Sequence, residues 1–173
     1  MFKEFFTILT NYNLYFEIYN KNMSARFWIK TIKRHFEESS ILINQINDDI
    51  LDFKVNEETR DIVNIILHMI RSYEYYITGI LFDEWKPLDY SFEVYNNTKK
   101  IKKLYDEVIQ KMLLLLEKIT DDLLNEKVSQ FNRIATKEEI LAEMIEHSIH
   151  HRGQLTVYYR LKGITPMKID YII

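Results

Sequence analysis

The scarcity of turn-forming residues is the strongest constraint on this chain. Its 173 residues include three glycines and two prolines, where average usage gives about 12 and about 9. A sandwich or barrel needs many tight reversals, so a chain this poor in them is expected to be all-α, with long helices and few connections. The length suits one domain burying roughly two-thirds of its unfolded surface, and the 47% apolar fraction is enough for one continuous core.

Helical periodicity recurs four times, which predicts a four-helix bundle. The first stripe follows Ser24, a candidate N-cap, and carries Trp28, Ile32, Phe36, Ile43 and Ile46, predicting a helix over 25–47. The second follows Asn56, with Glu57, Glu58 and Asp61 favouring a positive helix N-terminus. It carries Ile62, Ile65, Ile66, Met69, Tyr73, Tyr76 and Ile80 and is expected to end near Leu81. The third is predicted over 93–119, with Ile101, Leu104, Val108, Met112, Leu115 and Ile119 at core spacing. The fourth opens on a capping box, Thr136-Lys-Glu-Glu139, and stops at Gly163 before Pro166. Leu141, Met144, Ile145, Leu155 and Tyr159 form its apolar side. Residues 1–23 read as an N-terminal extension, in which Phe2, Phe5, Phe6, Leu9 and Phe16 are spaced for one additional helix, and residues 24–173 as the bundle domain.

Several function classes fall away on charge and composition. A net charge of −3 supplies no general attraction to phosphates, so no nucleic-acid partner is expected. The longest charge-free runs are far short of the roughly 20 residues that cross a bilayer, so no membrane partner is expected either. Without cysteine there is no disulfide, thiolate metal site or cysteine nucleophile, which suits a reducing cytoplasm. Any metal must therefore be held by histidine or carboxylate.

Of five histidines, His147, His150 and His151 lie within one turn and a half of the fourth helix, and His35 and His68 lie on the first and second. At about 100° per residue, His147 and His151 are about 40° apart and one turn apart in height, so both can reach one point. His150 lies about 100° from His151 and is left out of that set. The stripe continues through Glu143 and Gln154 along an apolar ridge, and His68 borders the buried stripe of its own helix. Three neutral imidazoles from two helices would hold a divalent metal with a coordination position left open, the form of a catalytic site. Glu143, one turn before His147, is a candidate hydrogen-bond partner behind the ligands or a proton acceptor, and Gln154 is placed to orient a ligand or water. From spacing alone the alternative stays open that all three are hydrogen-bonded packing histidines. Arg152 likewise has two readings, a clamp for an anionic cofactor or an ion pair with a neighbouring helix. Gly153, inside a helix, is read as a site of close helix approach.

The run His147-Ser-Ile-His-His-Arg-Gly-Gln154, continuing as an apolar helix to Gly163 and then to Pro166 and Asp170, resembles the DinB/YfiT-like family, which is unrelated to the similarly named DNA polymerase. The segment Ile65-Ile-Leu-His-Met-Ile-Arg-Ser-Tyr-Glu-Tyr-Tyr76 resembles the second-helix signature of that family, with its lone histidine at His68. The resemblance spans about residues 24–170. It implies a four-helix bundle that binds nickel, zinc or iron through His68, His147 and His151, and a homodimer. It also implies an enzyme acting on a small-molecule substrate, either a metal-dependent hydrolase or a transferase of a low-molecular-weight thiol such as bacillithiol or mycothiol. A second class stays open, a non-catalytic metal-binding or dimerisation module of stress-response type. If thiol chemistry occurs here, the thiol must arrive with a cofactor or substrate, because the chain has none.

Overall fold

The computed structural model describes residues 24–129 and 132–170. The helix expected within residues 2–20 lies outside the described residues. Four long helices form the bundle: α1 (Ala25–Asn44), α2 (Ile62–Phe82), α3 (Thr98–Leu116) and α5 (Lys137–Leu161). A short helix α4 (Asp121–Asn125) and an antiparallel pair of two-residue strands, β1 (Lys127–Val128) with β2 (Ala135–Thr136), lie between α3 and α5. Neither short element carries a sequence period long enough to read. Helix α5 packs on α1 and α2, and α3 packs on the same two, so the consecutive helices α1 and α2 sit diagonally across the bundle.

Side-chain caps set the helix boundaries. Ser24 accepts from the Phe27 amide, Asp61 from Asn64, Asn97 from Lys100 and Thr136 from Glu139. Two starts correct the sequence reading. Helix α2 begins at Ile62 instead of Glu57, because Asn56 and Thr59 close a local turn: the Glu58 amide donates to Asn56 Oδ1 at 3.0 Å and the Asn56 amide to Thr59 Oγ1 at 3.1 Å. Such side-chain bonds compete with helix for the same amides. Helix α3 begins at Thr98 instead of Glu93, because Asn97 caps it and Asp48 takes the Thr98 amide at 2.7 Å. The helix ends at Leu116 instead of residue 119, and near its end Leu116 is buried where Leu115 is only partly covered, while Ile119 is buried just beyond the last turn.

At the same end of the bundle, where the Tyr158 hydroxyl donates to the Arg60 carbonyl at 3.0 Å, α5 closes as the turn residues predict. Gly163 takes φ +71°, its amide donates to the Arg160 carbonyl at 3.0 Å, and the Ile164 amide returns to Tyr159 at 2.8 Å. This paired closure satisfies carbonyls that the last turn leaves free. The core fills the space between the helices with Ile32, Leu42, Ile66, Met69, Ile101, Met112, Leu141 and Leu155, all essentially without solvent contact. Gly153 corrects another expectation: it is exposed, and a Cβ built there meets nothing within 4 Å. The close approach occurs at Gly79 instead, where a Cβ would lie 2.3 Å from the Trp85 ring.

Candidate metal centre

The apolar ridge of α2, seated against α5, leaves one histidine of α2 facing two of α5. His68 Nε2 lies 2.9 Å from His147 Nε2, and His147 Nε2 lies 3.0 Å from His151 Nε2. Donor atoms of all three fall within 4.8 Å of one another, forming a cluster that can hold a metal ion. His68 and His147 are half-buried and His151 is 4% exposed, so the cluster sits at the edge of the core with one side toward solvent.

The proton inventory tests whether these residues fit a metal. His151 Nδ1 lies 2.6 Å from Gln154 Oε1, an acceptor, so Nδ1 carries the proton and Nε2 turns a lone pair to the centre. One shared proton, on His68 or on His147, is all that metal-free imidazoles can place between three converging nitrogens. A divalent ion bonded at about 2.0–2.1 Å satisfies all three at once, and nitrogens about 3 Å apart can all touch one such ion. The donor set therefore fits a metal.

Electrostatics keep the lone pairs available. Burial, then His147, Arg60, His151 and Arg71, pushes His68 down to about 3. Burial, then His151, His150 and Arg60, pushes His147 down to about 4. Burial also lowers His151, opposed by its bond to Gln154. Near pH 7 the imidazoles are neutral, the form that ligates metals. Two cations stand near them: the Arg71 guanidinium approaches His68 Nδ1 at 3.4 Å, and the field of Arg60 reaches all three rings. Neither arginine has an ion-pair partner among the described residues.

The remaining residues singled out by sequence fall in different places. Gln154 joins the cluster through His151. Glu143 is exposed on α5 one turn before His147, accepting from the Tyr76 hydroxyl at 3.3 Å and lying 3.8 Å from Arg133. Burial and Glu143 push the Tyr76 hydroxyl up to about 12, so it remains a donor. His150 is exposed beside the set. Arg152 points away from the triad, toward α1, where Nη2 donates to Glu38 Oε2 at 2.7 Å and to His35 Nδ1 at 2.9 Å. Its guanidinium is spent on that buried pair, which leaves the anionic-cofactor reading of Arg152 without a free donor face in this arrangement. Sequence reasoning missed the acceptors on α1. The signal available was a break in the apolar stripe between Phe36 and Ile43, where Glu38 and Ser39 are nonetheless buried.

The chain is 26% identical over 137 residues to YjoA, an uncharacterized protein of Bacillus subtilis strain 168, covering 77% of this chain and 87% of YjoA. The crystal structure of YjoA, a DinB-like protein, superposes with TM-score 0.70 at 22% identity, covering 82% of this chain and 95% of that one. YfiT of Bacillus subtilis, described as a probable metal-dependent hydrolase with an unusual four-helix bundle topology, gives TM-score 0.57 at 17% identity over 82% of this chain and 89% of its own. A mycothiol-dependent maleylpyruvate isomerase gives TM-score 0.57 at 12% identity over 75% of this chain and 60% of its own. The model of the DinB family matches residues 19–173, nearly the whole chain including both helices that carry the histidine cluster, and the protein belongs to that family.

Proposed function

We propose that His68, His147 and His151 form a divalent-metal centre that activates water or an external low-molecular-weight thiol, making the protein a metal-dependent hydrolase or thiol S-transferase. The observation that carries this reading is the convergence of three Nε2 atoms, with Gln154 fixing the tautomer of His151. Nickel, zinc and iron all suit an all-imidazole set. When bound, the ion supplies Lewis acidity undiminished by ligand charge, which produces a nucleophile near neutral pH. The description of YfiT as a probable metal-dependent hydrolase supports the activation of water, and the mycothiol dependence of the isomerase supports the use of an external thiol.

The chain's own residues support the remaining roles in this reading. Arg60 and Arg71, with no carboxylate among the ligands, favour a small substrate or thiol bearing an anionic group. Gln154 holds the proton of His151 Nδ1, and Glu143, held by the Tyr76 hydroxyl, takes up the proton released at the rim. We place the protein in the cytoplasm as a homodimer; the cysteine-free composition and the family resemblance support this.

The direct test is elemental analysis of protein purified without a histidine tag, alongside His151→Ala, followed by assay on ester and thiol-conjugation substrates. About one equivalent of metal in the wild type and little in the variant is expected. Equal metal in both would end the proposal, and metal without any ligand-dependent turnover would favour the non-catalytic module.

A further inference from the structure

Beside the ligand stripe of α5, on the side turned toward α1, a buried polar chain crosses three helices. The Tyr73 hydroxyl of α2 lies 2.7 Å from Ser39 Oγ of α1 and 2.6 Å from Ser148 Oγ of α5. Ser39 donates to the His35 carbonyl at 2.9 Å. The proton order follows from that bond: Tyr73 donates to Ser39, Ser148 donates to Tyr73, and Arg152 Nη1 donates to Ser148 at 2.8 Å. Arg152 then closes on Glu38 at 2.7 Å. Glu38, Ser39, Tyr73, Ser148 and Arg152 are all buried, and every one has a partner.

A fully satisfied network of this kind is a weak source of stability, since apolar residues of similar volume hold a core as well or better. What it supplies is a single geometry, because its hydrogen bonds are directional and an unmet partner is costly in the interior. Its position gives that geometry a use. Ser148 follows His147 in the chain, and Arg152 follows His151. On α2, Ser72 beside Tyr73 donates to the His68 carbonyl at 2.7 Å. An imidazole nitrogen stands about 6 Å from its helix axis, so rotating α5 by about 10° would move it by about 1 Å. Metal–ligand distances tolerate about 0.2 Å.

We propose that Tyr73, with Ser148, Arg152 and Glu38, is a positioning device that fixes the rotation of α5 against α1 and α2, so that His147 and His151 meet His68 at ligand distance. The inference rests on the metal-centre reading above.

Tyr73→Phe is the test, since it keeps the ring that packs edge-on against Phe36 at 4.9 Å and removes only the hydroxyl. Zinc affinity is measured by competition with a chromophoric chelator, and thermal stability is measured in the metal-free protein. We expect Tyr73→Phe to lose about 10- to 100-fold in zinc affinity, the range seen when residues supporting metal ligands are removed. Ile119→Val and Leu124→Ala, remote apolar truncations that bracket its stability loss, should keep wild-type affinity. If Tyr73→Phe fails to fold, Ser148→Ala removes the neighbouring hydroxyl and should show the same split. Wild-type zinc affinity in the hydroxyl-deleted variant, or an equal loss in the apolar controls, would overturn the positioning role alone. Failure of the wild type to bind zinc would overturn the metal centre itself.

Discussion

Metal should stabilise this fold by an amount that can be worked out in advance. Zinc binding the folded state and not the unfolded one adds about 2.7 kcal/mol at a free concentration 100 times its Kd. For a chain of 173 residues, each kcal/mol moves the melting temperature by about 2–4 °C, so zinc should raise Tm by about 5–11 °C over protein held in chelator. The structure also predicts how this increment depends on pH. His68 is pushed down to about 3 and His147 to about 4, so protons do not compete for these ligands until well below neutrality. The increment should therefore hold nearly constant from pH 8 to pH 6. In His151→Ala the chelator baseline falls, because a side chain only 4% exposed has been removed. The zinc increment above that baseline should shrink to under about 1 kcal/mol, as two imidazoles on two helices remain. Differential scanning calorimetry with and without zinc, on both proteins, measures the four transitions. A wild-type increment near zero, or one of equal size in His151→Ala, would refute the reasoning.

Two further predictions concern residues outside the metal centre. Burial, then Arg152 and Arg34, pushes His35 down to about 4, while in the unfolded chain it titrates near 6.5. Because the folded value is the lower one, the unfolded state binds the extra proton, and stability is lost as pH falls below 6.5. The loss from this group is about 2 kcal/mol by pH 5. Urea titrations in chelator at pH 7.5 and pH 5 should show that much less acid sensitivity in His35→Asn, and equal sensitivity would discount the assignment. Gly153→Ala should stabilise the protein by about 0.5–1 kcal/mol, since the position is helical and exposed, with open space where the added methyl would sit. A net loss in denaturant midpoint would restore the close helix approach that the sequence suggests.

The two kinds of information divide along physical lines. Local interactions were legible in the chain: the 3.6-residue stripes, the Thr136 capping box, the Gly163 stop and the one-turn spacing of His147 and His151 all depend on neighbours a few residues apart. The scarcity of glycine and proline likewise settled the helical class before any contact was known. Local competition at Asn56 and Asn97 was legible only in part, because a side chain that can cap a helix can also close a turn, and burial of the next few residues chooses between them. The meeting of His68 with His147 spans 79 residues of chain, and no spacing rule reaches so far. It exists because α2 and α5 are neighbours while α1 and α2 are diagonal, an arrangement set by packing the whole core. The same holds for Arg152: the sequence offered an anion clamp or an ion pair, and only the tertiary structure, by burying Glu38 and His35 beside it, decided where a charge in the interior finds its partner.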